Sequence, residues 1–388
     1  MKLGDVRDGV VYCTRGATVG TWTLDGGFES HSRVPLPSSG VEPLRSALLH
    51  NRPVKRLLRP IVGTFTSANV WPLSNGHLVA TVGRWLFASR DRGRSWSMVH
   101  ELPASSGPMG VLPTSVCEHD GRVYLAEYPL TGESARILVS DDGGYTWSTF
   151  LSTADVRHFH GVFADPYTGK LWATAGDSDD ESAIGRIDGG EFSPVGSGSQ
   201  RWRCVGLVFT EEYLLWGMDC SFAEQIALLR LPRSALTGDS PEPEPEVVGT
   251  ADATVFYAET LRTGGETWTI ISTASSTGVD RYAPPDSRRN VSGPCARVLA
   301  ASSKTAFETW HEVASFPRRR PLGDRTSHLP ATGAYVFLAT DPDRGLLVNP
   351  YNVREHDGEI DVVSHETFRR MSRASQSVAP EMGGDVRC

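Results

Sequence analysis

Ser89-Arg90-Asp91-Arg92-Gly93-Arg94-Ser95-Trp96 and Ser140-Asp141-Asp142-Gly143-Gly144-Tyr145-Thr146-Trp147 are two copies of one pattern, Ser-x-Asp-x-Gly-x-(Ser/Thr)-Trp. They begin 51 residues apart (140 − 89), and each follows an apolar run, Trp85-Leu86-Phe87 or Ile137-Leu138-Val139. Each residue type in the pattern has a physical use. A turn aspartate accepts hydrogen bonds from nearby backbone N–H groups, a glycine takes positive φ at no steric cost, and a tryptophan fills the space between neighbouring sheets. A strand-turn-strand unit returning at a fixed interval indicates an array of similar sheets. The pattern therefore predicts an architecture and not a reaction.

The rhythm extends on both sides of the two copies. Around the first, Asn69–Leu73, His77–Val82, Trp85–Ser89 and Trp96–Leu102 form a group of four predicted strands, with an Asn75-Gly76 turn between the first two. Around the second lie Thr114–Glu118, Arg122–Tyr128, Arg136–Ser140 and Trp147–Ser152. Three further groups follow, within 160–195, 203–249 and 254–316. Their third turns hold decayed copies, Asp188-Gly189-Gly190 in the first of them and Thr309-Trp310 in the last. Val10–Thr14, Thr18–Thr23 and Glu29–Val34 make an incomplete group at one end, and Tyr335–Thr340, Gly345–Val353 and Glu359–Val363 one at the other.

The repeated pattern is the Asp-box, and the chain resembles the sialidase-like β-propellers that carry it. The resemblance implies an all-β fold, a single β-propeller of four-stranded blades over residues 1–370. Seven blades are favoured and six stay open, with closure by both termini. Residues 371–388 read as a disordered tail, Glu42–Arg59 as a short helix on a loop, and Tyr282–Asn290 as a polar excursion. The segment with the hairpin Asp165-Pro166-Tyr167-Thr168-Gly169 is also similar to a widespread group of bacterial and archaeal Asp-box propeller proteins. Sialidases carry an arginine triad and an Arg-Ile-Pro segment. Here Arg59-Pro60-Ile61-Val62 has the wrong order, so sialidase catalytic residues are not transferred.

Composition agrees with many short strands and tight turns: 39 Gly, 25 Pro and 10 Trp in 388 residues. A net charge of −8 without a basic stripe argues against nucleic acid as a partner. The amino terminus lacks an apolar leader and no run approaches the length of a membrane span, so a soluble, cytoplasmic protein is expected. Six scattered cysteines without a Cys-x-x-Cys pair read as buried free thiols. Oligomeric state is not readable.

In a four-stranded blade the Asp-box turn lies at one end of the sheet, and the entry to strand one and the exit from strand two lie at the other. Binding sites of propellers open at that second end. His158 and His160 enter one blade there, Asp177 leaves its second strand, Glu127 and Tyr128 leave the strand before, and Trp202 and Arg203 enter the next. Asp219, Asn349 and Tyr351 occupy equivalent places farther along. His158 and His160, at i and i+2 of an extended segment, point to one side. With Asp177 they have the composition of a two-histidine, one-carboxylate divalent metal site. Without metal, His158, His160, Asp177, Tyr128 and Tyr351 suit proton transfer, while Glu127, Trp202, Arg203, Asp219 and Asn349 suit substrate binding. Trp172, Trp216 and Trp268, inside strands, are expected in the core.

The expected function is a carbohydrate-active enzyme, hydrolase or lyase, acting on an anionic or uronate-containing glycan. Two alternatives stay open: a non-catalytic propeller that binds a glycan or protein, and a small-molecule enzyme of specialised metabolism. The expected ligand is a glycan or small molecule, with no membrane partner.

Overall fold

A computed structural model describes residues 1–35, 68–236, 243–275, 293–319 and 333–377, except the side chains of 107–109 and 375–377. The loop helix expected over 42–59, the Arg59–Val62 segment and the excursion over 282–290 lie outside the described residues, as does part of the Pro241–Pro245 loop. The fold is an all-β, seven-bladed β-propeller built of antiparallel sheets. The chain divides into two compact units, Met1–Val205 and Gly206–Cys388. No described helix is long and apolar enough to cross a membrane.

The first unit holds four sheets, each of four strands in sequence order. They are β1 (Lys2–Arg7), β2 (Val10–Arg15), β3 (Thr18–Thr23) and β4 (Gly27–Arg33); β5 (Ala68–Pro72), β6 (Leu78–Val82), β7 (Trp85–Ser89) and β8 (Ser97–Glu101); β9 (Val116–His119), β10 (Arg122–Ala126), β11 (Ala135–Ser140) and β12 (Ser148–Thr153); and β13 (Phe159–Asp165), β14 (Lys170–Ala175), β15 (Ala183–Asp188) and β16 (Glu191–Ser197). Strands β5, β6 and β7 are buried at every residue, whereas the outermost β8 is mostly exposed. Strands covered on both faces need apolar side chains throughout, so they read as continuous runs and not as alternation.

The second unit holds β17 (Leu207–Phe209), β18 (Tyr213–Gly217), β19 (Ile226–Pro232) and β20 (Glu246–Ala251); β21 (Thr254–Thr263), β22 (Glu266–Ala274), β23 (Cys295–Ser302) and β24 (Trp310–Pro317); and the three-stranded β25 (Tyr335–Asp341), β26 (Gly345–Tyr351) and β27 (Asp361–Val363). Helix α1 (His365–Ser377) follows. It continues through residues 371–377 of the expected tail, with Phe368 fully buried against Trp268 (ring centroids 5.3 Å apart) and Ser372 buried one turn later. Residues 378–388 lie outside the described residues.

Every described sheet draws its strands from one continuous stretch, so the expected blade shared by both termini is not among them. Strand β1 completes the first blade. Trp172, Trp216 and Trp268 are core residues as expected. Cys13, Cys117, Cys204 and Cys220 form no disulfide, while Cys295 is disulfide-bonded, against the expectation of thiols throughout.

Both repeated turns close in the same way. Asp91 Oδ1 accepts from the N–H groups of Arg94 and Ser95 at 3.0 and 2.9 Å, and Oδ2 from Ser95 Oγ at 2.6 Å. Asp142 Oδ1 accepts from Tyr145 and Thr146 N–H at 2.9 Å, and Oδ2 from Thr146 Oγ1 at 2.8 Å. Ser89 and Ser140 hydroxyls accept from Gly93 and Gly144 N–H at 2.8 Å, with both glycines at positive φ. Trp96 donates to Ser32 of the preceding blade at 2.9 Å, and Trp147 packs with side chains of the two blades it separates. A second repeat accompanies the turns. In all six four-stranded sheets the register between strands three and four shifts once, as at Leu86/Phe87 and Ile137/Leu138. Such a bulge raises the local twist and turns the outer strand.

Candidate functional site

The site lies in the first unit, at the end of the β13–β14 sheet opposite the turn between its third and fourth strands. Pairing of Phe159 with Ala175 brings the residue before β13 and the residues after β14 together. Gly176 makes the local turn. Its φ is +75°, and a Cβ there would meet the Glu181 carbonyl oxygen at 2.1 Å, so only glycine lets the chain fold back at this point. Asp177 is thereby directed at the two histidines.

The ring nitrogens sort into two sets. His160 Nδ1 lies 3.0 Å from the Cys204 carbonyl oxygen, and His158 Nδ1 3.2 Å from that of Pro129 and 3.4 Å from Arg157 Nε. A carbonyl oxygen only accepts, so His160 Nδ1 donates to Cys204, whereas His158 Nδ1 faces both the accepting Pro129 carbonyl and the donating Arg157 Nε; both rings turn Nε2 inward. Those Nε2 atoms are 3.1 Å apart, His160 Nε2 is 3.1 Å from Asp177 Oδ1, and His158 Nε2 is 3.5 Å from Asp177 Oδ2. Three side chains that can ligate a cation thus converge, with ligand atoms within 4.8 Å of one another. They would hold one divalent ion, and the backbone carbonyls would orient the two histidines.

His158 is fully buried, and burial, opposed by Asp177, pulls its pKa down to about 4, leaving a neutral imidazole at pH 7. Burial also works against ionisation of Asp177, yet its contacts with the two imidazoles hold the carboxyl far below the usual carboxylate range. Two guanidiniums flank that anion. Arg157 Nη2 lies 2.6 Å from Oδ2, and Arg203 Nη2 lies 3.3 Å from Oδ1. Tyr128 packs its ring on His158 at 4.1 Å between centroids and on His160 at 5.9 Å.

His158, His160, Asp177, Tyr128 and Arg203 therefore come together, with altered roles for some. Arg203 is not presented to a substrate. It donates to the Asp177 carbonyl oxygen at 3.1 Å and holds that residue in place, because 203–206 form a loop and β17 starts only at Leu207. Glu127 turns away: its oxygens accept from Arg136 Nε at 2.6 Å and Nη2 at 3.0 Å, and Oε1 also meets His100 at 3.2 Å. Neighbouring residues at a strand end face opposite sides, so Tyr128 reaches the site and Glu127 does not. Trp202 is buried with its ring against Gly196 and offers no open face for a sugar.

Asp219, Asn349 and Tyr351 belong to the second unit. Asp219 is buried after β18, Asn349 donates to the Glu359 carbonyl, and Tyr351 meets Phe337 edge-on at 6.1 Å. That unit also has an aromatic row absent from the expected set, with Phe256 stacked on Tyr335 at 5.5 Å and Tyr257 against Phe337 at 5.2 Å. The residue missed at the histidine site is Arg157. Its adjacency to His158 was the available signal, but a single arginine at a strand entry carries no distinguishing spacing.

No protein-family model and no curated protein matches this chain. Among solved structures it is similar to a chain of the mitotic checkpoint complex at 12% identity, over 94% of this chain and 88% of that one, with a TM-score of 0.49. It is likewise similar to an oligogalacturonate lyase in complex with manganese (12%, 93% and 87%, 0.49) and to a candidate 6-phosphogluconolactonase of Bacteroides fragilis (11%, 93% and 92%, 0.44). At these identities and scores the likenesses say nothing about the reaction.

Proposed function

We propose that the chain is an Asp-box propeller enzyme that uses a divalent cation to act on an anionic, uronate-containing glycan, with β-elimination favoured over hydrolysis. One observation carries this reading: His158 Nε2, His160 Nε2 and the Asp177 carboxylate converge while both Nδ1 atoms face backbone carbonyls. The three side chains would hold the ion, which would supply Lewis acidity toward a carboxylate oxygen. Because their nitrogens are committed on both sides, the imidazoles serve as ligands and not as proton carriers. Tyr128, whose ring packs on His158 with the planes tilted by 39°, is the proton-transfer group we assign at the site. Removing the proton beside a uronate carboxylate requires that carboxylate to be neutralised, which an ion and Arg157 together provide.

The test is a polygalacturonate assay followed by the ultraviolet band of the unsaturated uronate, with chelator and then with added Mn²⁺. Chelator is expected to silence the activity and Mn²⁺ to restore it. His160→Ala is expected to lower the rate by about 10²–10⁴. Bound Mn²⁺ without turnover of any uronate polymer would favour the binding-protein alternative. Turnover indifferent to chelator and to His158→Ala with His160→Ala would place the chemistry elsewhere.

A further inference from the structure

We propose that the site binds its divalent cation and a carboxylate-bearing ligand as a pair, with Arg157 as the residue that couples them. The inference rests on the reading that His158, His160 and Asp177 hold the cation.

The argument is a count of charges. The side chains around the triad are Asp177 and Glu181, both anionic, and Arg157 and Arg203, both cationic. A histidine that ligates a metal does so as neutral imidazole, and Asp179 and Asp180 are exposed. With a divalent ion in place the cluster therefore carries two excess positive charges. That excess sits beside His158 at 0% and His160 at 1% exposure, where water does little to screen it. Cation binding is consequently opposed until an anion arrives.

The two arginines differ in exposure. Arg203 is buried and tied to the Asp177 carbonyl oxygen at 3.1 Å, to Oδ1 at 3.3 Å and to Gln200 Oε1 at 3.4 Å. Arg157 is the more exposed, at 16% of its side chain against 8%, and it sits between Asp177 at 2.6 Å and Glu181 at 3.6 Å. A cation drawing on Asp177 weakens the hold of that carboxylate on Arg157, and an incoming carboxylate takes its place with a planar two-point contact. Thermodynamic linkage makes the effect mutual: whatever the anion adds to cation affinity, the cation adds to anion affinity.

The experiment is calorimetric titration of the full chain with Mn²⁺, in D-galacturonate or in D-galactose, the neutral sugar of the same ring. In the wild type, galacturonate is expected to tighten Mn²⁺ binding about tenfold or more and galactose to leave it within about twofold. Arg157→Gln is expected to bind Mn²⁺ about tenfold more tightly without any sugar and to lose most of the galacturonate effect, because the opposing charge is gone. Arg157→Lys, which keeps the charge, retains the coupling. Equal Mn²⁺ affinity in the two sugars, or full coupling in Arg157→Gln, overturns the proposal while leaving the cation site standing. No Mn²⁺ binding by the wild type under either condition overturns the cation reading and this proposal with it. Should Arg157→Gln fold poorly by melting temperature, the wild-type sugar comparison and Arg157→Lys decide alone.

Discussion

Asp142 shows how much of a repeated turn depends on one carboxylate. Partial burial pushes it up, and the Thr146 N–H and hydroxyl, the Ser140 hydroxyl and the Tyr145 N–H outweigh this, bringing its pKa down from 3.8 to about 2. In Asp91 the Ser95 hydroxyl leads the same effect, and the pKa lies well below the usual carboxylate range. A carboxyl with a depressed folded pKa contributes stability above its unfolded value and loses it as pH falls through the folded one. Acid titration is therefore expected to remove the Asp142 contribution between pH 3.8 and about 2. Asp142→Ala should flatten the melting-temperature profile in that window and cost about 1 kcal/mol at neutral pH, a value discounted because solvent reaches the turn. Asp91→Ala should lower the melting temperature too. Neither change should alter Mn²⁺ affinity, and a loss of cation binding in a protein of unchanged melting temperature would contradict a purely structural turn.

Elements were readable in proportion to their apolar content. Trp85–Ser89 matches β7 end to end, since it is a short apolar run with clear turns on each side. Strand β1 was missed because Lys2-Leu3-Gly4-Asp5-Val6-Arg7 offers only two large apolar residues. It pairs with β2, Lys2 is buried against Asn69, and Gly4 lets it lie over Val70. Helix α1 was missed for a related reason. Phe368 and Met371, at i and i+3, are surrounded by charge, and tertiary contacts supply what local propensity lacks. Ser372 donates to Glu266 at 2.5 Å while Lys304 pairs with the same carboxylate at 2.8 Å. Phe368→Ala is expected to cost about 3–5 kcal/mol by chemical denaturation, with faster amide exchange along α1 and β22. A cost below about 1 kcal/mol would mean the helix is not docked. At the Gly176 turn, Gly176→Ala should cost about 1–3 kcal/mol and, through misdirected Asp177, weaken Mn²⁺ binding as well.

At the scale of the whole chain, the composition of the candidate site was legible and its geometry was not. Blade order placed His158, His160 and Asp177 at one sheet end, because antiparallel pairing alone brings an entry and an exit together. Which neighbour turns inward depends on a single residue of phase, and that separated Tyr128 from Glu127. The three proposed ligands and the carbonyls beside the histidines, those of Pro129 and Cys204, all lie in the unit Met1–Val205. A cation that binds only the folded site stabilises by mass action, about 2.7 kcal/mol at a hundred times its dissociation constant. Because the proposed ligands lie in that unit, hydrogen exchange is expected to slow around 127–130, 157–161, 176–182 and 200–204 on adding Mn²⁺. His160→Ala should abolish the protection, since two of three ligands cannot hold the ion against water. Protection confined to Gly206–Ser377, or surviving His160→Ala, would show that the ion binds at another place and would remove the basis for a metal at this histidine pair.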